Sequence, residues 1–248
     1  MRASLLLSLF LGFTLAPAQN VAQSSTADGG LRTQIQGIGI PSISGAPFTA
    51  KVVVTWDEPL VGGGSISRKY YTLVARDAQG RVHREIRNFV PANSSAEPPL
   101  RSFSIADPVA GTRTTCTQRT MTCTTTEFHP RASLGGDPGT DEAGGPLPAG
   151  GGKIRRVSLG EQTISQLRVV GTRETSTSVA GDNGSDRVIV SHRDLWYSPD
   201  LHMDISVVRS NPQMGQLTLT VTDLVRGDPD SSWFTVPSGY ETRNAYVR

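Results

Sequence analysis

The stretch AKVVVTWDEPLVGGGSISRKYYTLVARDAQGRVHREIRNF, residues 50–89, decides the fold class. Ala50–Trp56 is short and rich in β-branched residues, and Val52, Val54 and Trp56 fall on one face of a period-two strand. Gly62, Gly63 and Gly64 break it, and Ser65–Arg76 supplies a second strand. Asp77–Gly80 reads as a turn, after which Arg81–Phe89 alternates around Val82 and Ile86. Strand, turn, strand, turn, strand is an antiparallel meander.

The same habit extends outward. Ser102–Ala106 is a further strand, closed by the turn Asp107–Gly111. From Thr112 to Phe128 the chain is threonine-rich, and threonine forms strands better than helices. Cys116 and Cys123 flank a turn-like segment there and are the chain's two cysteines. An even count placed across a turn predicts a disulfide, whereas a redox pair needs closer spacing at a helix start and a metal site more ligands.

Residues 134–152 interrupt the pattern with eight glycines and three prolines and read as a long flexible insertion. Strands resume over Gln162–Thr177, Arg187–Tyr197, His202–Arg209 and Gln216–Val225, and Asp228–Phe234 is expected to hold one helical turn. No segment shows ten residues of helical periodicity. Four to six strands on each side of the insertion are marginal alone, so one antiparallel β domain over 46–248 is expected rather than two, with neighbours in sequence adjacent in the sheet.

The amino terminus has a different character. Arg2, the apolar run Ala3–Leu15, and Ala16-Pro17-Ala18 are the three parts of a secretory signal, so cleavage before Gln19 is expected. The run is short of the ~20 residues that cross a bilayer, and no cysteine lies near the cut to carry a lipid anchor. A soluble periplasmic or extracellular product follows, with residues 19–45 as a loose lead and no integral membrane span. Removing Arg2 from a formal charge of +2 leaves +1, too little to call for nucleic acid as a partner.

The carboxy-terminal half carries a resemblance. Val169–Arg173, Asp194–Leu201 and Phe234–Tyr240, together with Ile105–Gly111, resemble a pattern in an uncharacterised family of secreted bacterial β proteins. More distantly the chain is similar to the lipoprotein-carrier (LolA-like) half-barrel superfamily. That resemblance implies a strongly curved sheet, half-barrel-like, with one wet and one apolar face. Such an apolar concave face must be filled by its own side chains, a lid or a ligand. Trp56, Trp196, Tyr197 and Trp233 are the candidate ligand-face or core residues, with Trp196 and Trp233 favoured as core.

Catalytic signatures are missing. His83, His129, His192 and His202 show no metal-ligand spacing, and His83 and His192 are expected to face solvent or lie at an edge. His192 with Asp194 and His202 with Asp204 repeat a two-residue spacing that could converge on a metal or acid–base cluster if the strands pair. Adjacent carboxylates, Asp57–Glu58 and Asp141–Glu142, point to opposite sides. No nucleophile elbow, phosphate loop or dinucleotide fingerprint occurs. An exported, non-enzymatic binding or carrier-like module for an apolar ligand or envelope partner is expected, with no cofactor. A structural protein of the envelope is the alternative, and an exported metal-dependent hydrolase a third.

Overall fold

Alternation of Val, Thr and aromatic residues, punctuated by glycine turns, produces strands almost everywhere in the computed structural model, which describes residues 37–130, 144–147, 151–181 and 186–245. The signal segment expected at 1–18, and the lead expected from residue 19 as far as residue 36, lie outside the described residues. The first half runs β1 (Phe48–Pro59), β2 (Ser65–Arg76), β3 (Val82–Arg87), β4 (Val90–Pro91), β5 (Leu100–Asp107), β6 (Thr112–Thr117) and β7 (Thr122–Glu127). The second runs β8 (Gly144–Pro146), β9 (Gly152–Ile164), β10 (Leu167–Ser178), β11 (Ile189–Ser198), β12 (Met203–Asn211), β13 (Gly215–Arg226) and β14 (Glu241–Asn244). A 3-10 turn at Ser231–Phe234, capped by the Asp230 carboxylate, stands where one helical turn is expected. Among the described residues no helix is long and apolar enough to cross a membrane.

All fourteen strands belong to one open, curled sheet, ordered 14-7-6-5-3-2-1-13-12-11-10-9-8, with β4 pairing β2. Two meanders, one from each half, are joined where β1 pairs β13. Four pairings break the expected sequence order: β1 with β13, β14 laid parallel to β7, β4 with β2, and β3 with β5. Inside the insertion expected at 134–152, Gly144–Pro146 pair with Lys153–Arg155, so part of it is an edge strand. Glycine and proline are tolerated at an edge, and a Gly-Gly-Pro triplet carries no period-two signal. The strand β9 then starts ten residues ahead of the expected Gln162.

Burial alternates cleanly, and it separates the faces. On the inner face Phe48, Val52, Val54 and Trp56 of β1 are buried, with Leu217, Leu219 and Val221 of β13 and Met203, Ile205 and Val207 of β12. Thr49, Lys51, Val53 and Thr55 on the other face of β1 are half-buried. Each such apolar side chain contributes about 1.5–3 kcal/mol on burial, and curling lets the inner face of a single layer meet itself.

The lead, expected to be loose over 19–45, is tied down from residue 37. Ile38 is buried, Gly45 donates to the Ala78 carbonyl at 3.0 Å, and Arg76 donates to the carbonyls of Ala46 (2.9 Å), Pro41 (3.1 Å) and Leu201 (2.9 Å). Anchoring comes from β2 and the β11–β12 turn, far along the chain, so the local composition gives no sign of it.

After β13 the chain returns over the outer face of the first half. Phe234 joins Ala75, Phe103, Ile105 and the cysteines in a second core, with Trp233 and Tyr240 packed against it. Cys116 and Cys123 face each other across the β6–β7 ladder and are bonded, Cα to Cα 4.0 Å. Replacing both by alanine is expected to lower stability by about 2–3 kcal/mol in denaturant titration. A loss below about 1 kcal/mol would show that the surrounding core holds this hairpin alone.

Candidate functional site

Register places the polar groups of the inner face in a row. Arg156, Glu174, Arg193, Arg209, Leu217, Trp56 and Arg68 lie side by side across β9, β10, β11, β12, β13, β1 and β2. The next row in from this end is apolar from β11 onward: Leu195, Val207, Leu219, Val54 and Tyr70. A charged and aromatic rim therefore borders an apolar floor.

Glu174 is buried and accepts from Arg156 Nε at 2.6 Å and from Arg193. Asp204 faces Arg193 and Arg209; burial pushes its carboxyl up to about 6, against the pull of those two cations. Burial likewise lowers Arg209 and Arg84. The Tyr70 phenol is raised by burial and opposed by Arg84, Arg101 and Arg209. Tyr70 on β2 and Arg209 on β12 lie three strand spacings apart in the sheet order, about 14 Å along a flat surface. Their electrostatic contact reflects long side chains and curl together.

Aromatic rings crowd this end. Phe89, in the turn between β3 and β4, meets Tyr70 edge-on at 4.7 Å and Trp56 at 6.0 Å. Trp56 Nε1 donates to the Met214 carbonyl at 2.9 Å, and Arg68 lies over its ring. Arg68 is itself paired with Glu58 at 3.3 Å.

The other candidates are dispersed. Trp56 and Tyr197 are buried on the inner side. Trp196 lies on the outer face over Gly171, where a Cβ would come within 2.5 Å of the indole, so only glycine admits the ring there. Trp233 packs edge-on to His83 at 5.2 Å in the outer core. His83 also stacks on Phe103 at 5.5 Å, so it is packed rather than solvent-facing or at an edge as expected. The segment that covers it is about 150 residues away in sequence. His192 is exposed and bonds to Thr175, while Asp194 makes a two-point ion pair with Arg173 at 2.6 Å. His202 sits in the turn before β12 with φ +54°, and Asp204 faces the inner arginines. Among the described residues no three His, Cys, Asp or Glu side chains come together as metal ligands.

Arg84, Arg193, Arg209, Glu174 and Tyr70 are site residues that the sequence reading does not single out. A signal for Arg84 is present in the sequence: it shares the alternating face of Val82 and Ile86. An arginine on the apolar side of a period-two pattern marks a buried cation.

Two buried groups make acid stability a balance. Burial lowers His83 to about 4, with backbone hydrogen bonding at Trp233 opposing. The unfolded chain alone takes up that proton between about pH 6.5 and 4, so His83 lowers stability as pH falls through this window. Asp204 does the reverse: the folded state alone holds its proton between about pH 6 and 4, so stability rises as pH falls. Each contribution is on the order of 2–3 kcal/mol. His83→Phe is therefore expected to gain stability relative to the parent from pH 6.5 to 4, and Asp204→Asn to lose it more steeply than the parent. Parallel pH profiles of Tm for all three proteins would refute this assignment.

No protein-family model matches the chain, and neither does any curated protein sequence. Solved structures do align with it. An uncharacterized conserved protein from Thermus thermophilus is 9% identical, with 80% of this chain and 90% of that one covered and a TM-score of 0.39. In the MucA/MucB complex of Pseudomonas aeruginosa the match is 13% identical over 82% of this chain and 62% of that one, TM-score 0.39. A putative outer membrane lipoprotein-sorting protein domain from Vibrio parahaemolyticus is 9% identical over 82% and 94%, TM-score 0.27.

Proposed function

We propose that this chain is an exported, non-enzymatic binding module that holds an apolar ligand against the inner face of its curled sheet. The observation that carries the reading is the apolar floor from Leu195 to Tyr70, bordered at one end by Trp56, Phe89 and the arginine row. A single sheet layer that is apolar on one side needs its own curl, a cover or a ligand to keep that side from water. Phe89 stands on a turn rather than in a strand, so it is the group best placed to yield to an entering chain.

The test is binding of the hydrophobic fluorophore N-phenyl-1-naphthylamine, with native mass spectrometry of protein purified from the periplasm. Saturable binding is expected, weakened by Phe89→Ala, with an apolar molecule retained in the gas phase. Absence of binding by the parent, together with a ligand-free mass, would end this reading.

A further inference from the structure

Arg84 is a cation set into an apolar face. On β3 it stands opposite Val74 of β2, which in turn stands opposite Ala50 of β1, so it shares the inner face two rows beyond Val54 and Tyr70. Its Nε is buried and has no hydrogen-bond partner. Among the described residues no carboxylate forms an ion pair with it, since Glu174 is held by Arg156 and Arg193, and Asp204 faces Arg193 and Arg209. The groups that do face it are the Tyr70 phenol and another cation, Arg113. The backbone at Gly37 closes over it, a Cβ there falling 2.0 Å from the guanidinium. Removing a guanidinium from water without an anion is costly, and proteins keep such a charge where something else compensates it.

Resting on the proposed function, we propose that Arg84 anchors the anionic end of an amphiphile, a carboxylate or a phosphate monoester, whose hydrocarbon lies along the inner face. A planar guanidinium offers two parallel donors that match either group, and Tyr70 is placed to add a hydroxyl donor. The second cation facing it, Arg113, leaves the field around this end positive, which favours an anion over a neutral or cationic head.

Three probes of one chain length separate the possibilities: oleate, 1-oleoyl-lysophosphatidate and oleyl alcohol, titrated into the full chain. One or both anions are expected to bind at least about tenfold tighter than the alcohol, and which does so identifies the head group. Arg84→Gln should abolish that preference and be at least as stable as the parent because it removes an uncompensated charge. Arg119→Gln, at the exposed β6–β7 turn, should leave all three affinities as they are. Equal affinity for anions and alcohol in the parent would overturn the anion site while the apolar reading stands. An undiminished preference in Arg84→Gln, or a clear loss of its stability, would overturn it too. If no probe binds, both readings fall.

Discussion

Arg76→Met is expected to lower the free energy of unfolding by about 3–5 kcal/mol, read as a shift of the urea midpoint at constant slope. Arg76 is fully buried, and its guanidinium donates to three carbonyls from separate parts of the chain. Two of those carbonyls, Pro41 and Ala46, lie in the segment just ahead of β1, and the third, Leu201, lies in the β11–β12 turn, in the opposite half of the sheet from Arg76 on β2. It also lies over the Phe48 ring, 5.0 Å from the centroid. Burial, and secondarily Arg226, lowers it to about 10, so it stays protonated at neutral pH. Methionine fills much of the volume but leaves three buried acceptors without a donor, and each such acceptor costs about 1–3 kcal/mol. Arg76→Lys should recover only part of the loss, because one ammonium cannot serve three carbonyls in a planar fan. A shift below about 1 kcal/mol for the methionine variant would mean that water replaces the lost donors.

Gly215→Ala is expected to lower Tm by roughly 6–12 °C, corresponding to about 3 kcal/mol for a chain of this size. Gly215 has φ +81°, a conformation that costs an alanine about 1–2 kcal/mol. A Cβ there would also stand 1.8 Å from the Asp57 carbonyl oxygen and 2.7 Å from Pro59 Cδ, so either β1 or the turn must move. Movement breaks the bond from Trp56 to Met214 and disturbs Asn211, which braces the turn through Gln213 N at 2.8 Å and Ser191 at 2.8 Å. The same displacement reaches the aromatic rim, so fluorophore binding should weaken along with stability. An alanine variant that melts with the parent would show that the turn relaxes without strain.

Much of the fold is legible in the sequence because its cause is local. The alternation at Val82 and Ile86, the triple glycine at 62–64, and the threonine-rich cysteine hairpin each specify strand or turn within a few residues. What escapes the sequence is set by distant partners. The β14 segment Glu241–Asn244 is a strand only because β7 offers it an edge, and Gly144–Pro146 only because β9 does. His83 has the pattern of a wet-face residue, and only the carboxy-terminal segment laid over it makes it part of a core. For the site, Trp56 and Tyr197 can be named from residue type and Arg84 from its place on the apolar face of Val82 and Ile86, whereas Arg209 and Glu174 look like ordinary strand polars. Period two shows which residues share a face; it does not show which face the protein buries.

The β1–β13 join has a kinetic consequence. Partners such as Lys51 and Thr222 are 171 residues apart, so the strand pair at the middle of the sheet closes through more than two thirds of the 248-residue chain. Until β13 emerges and returns, the first meander presents β1 as an open edge lined by Val52, Val54 and Trp56, the kind of edge that recruits foreign strands. High contact order slows the closing step and lengthens that exposure. Assembly of this protein should therefore be limited by the meeting of its two halves, and its aggregation during refolding should begin at β1.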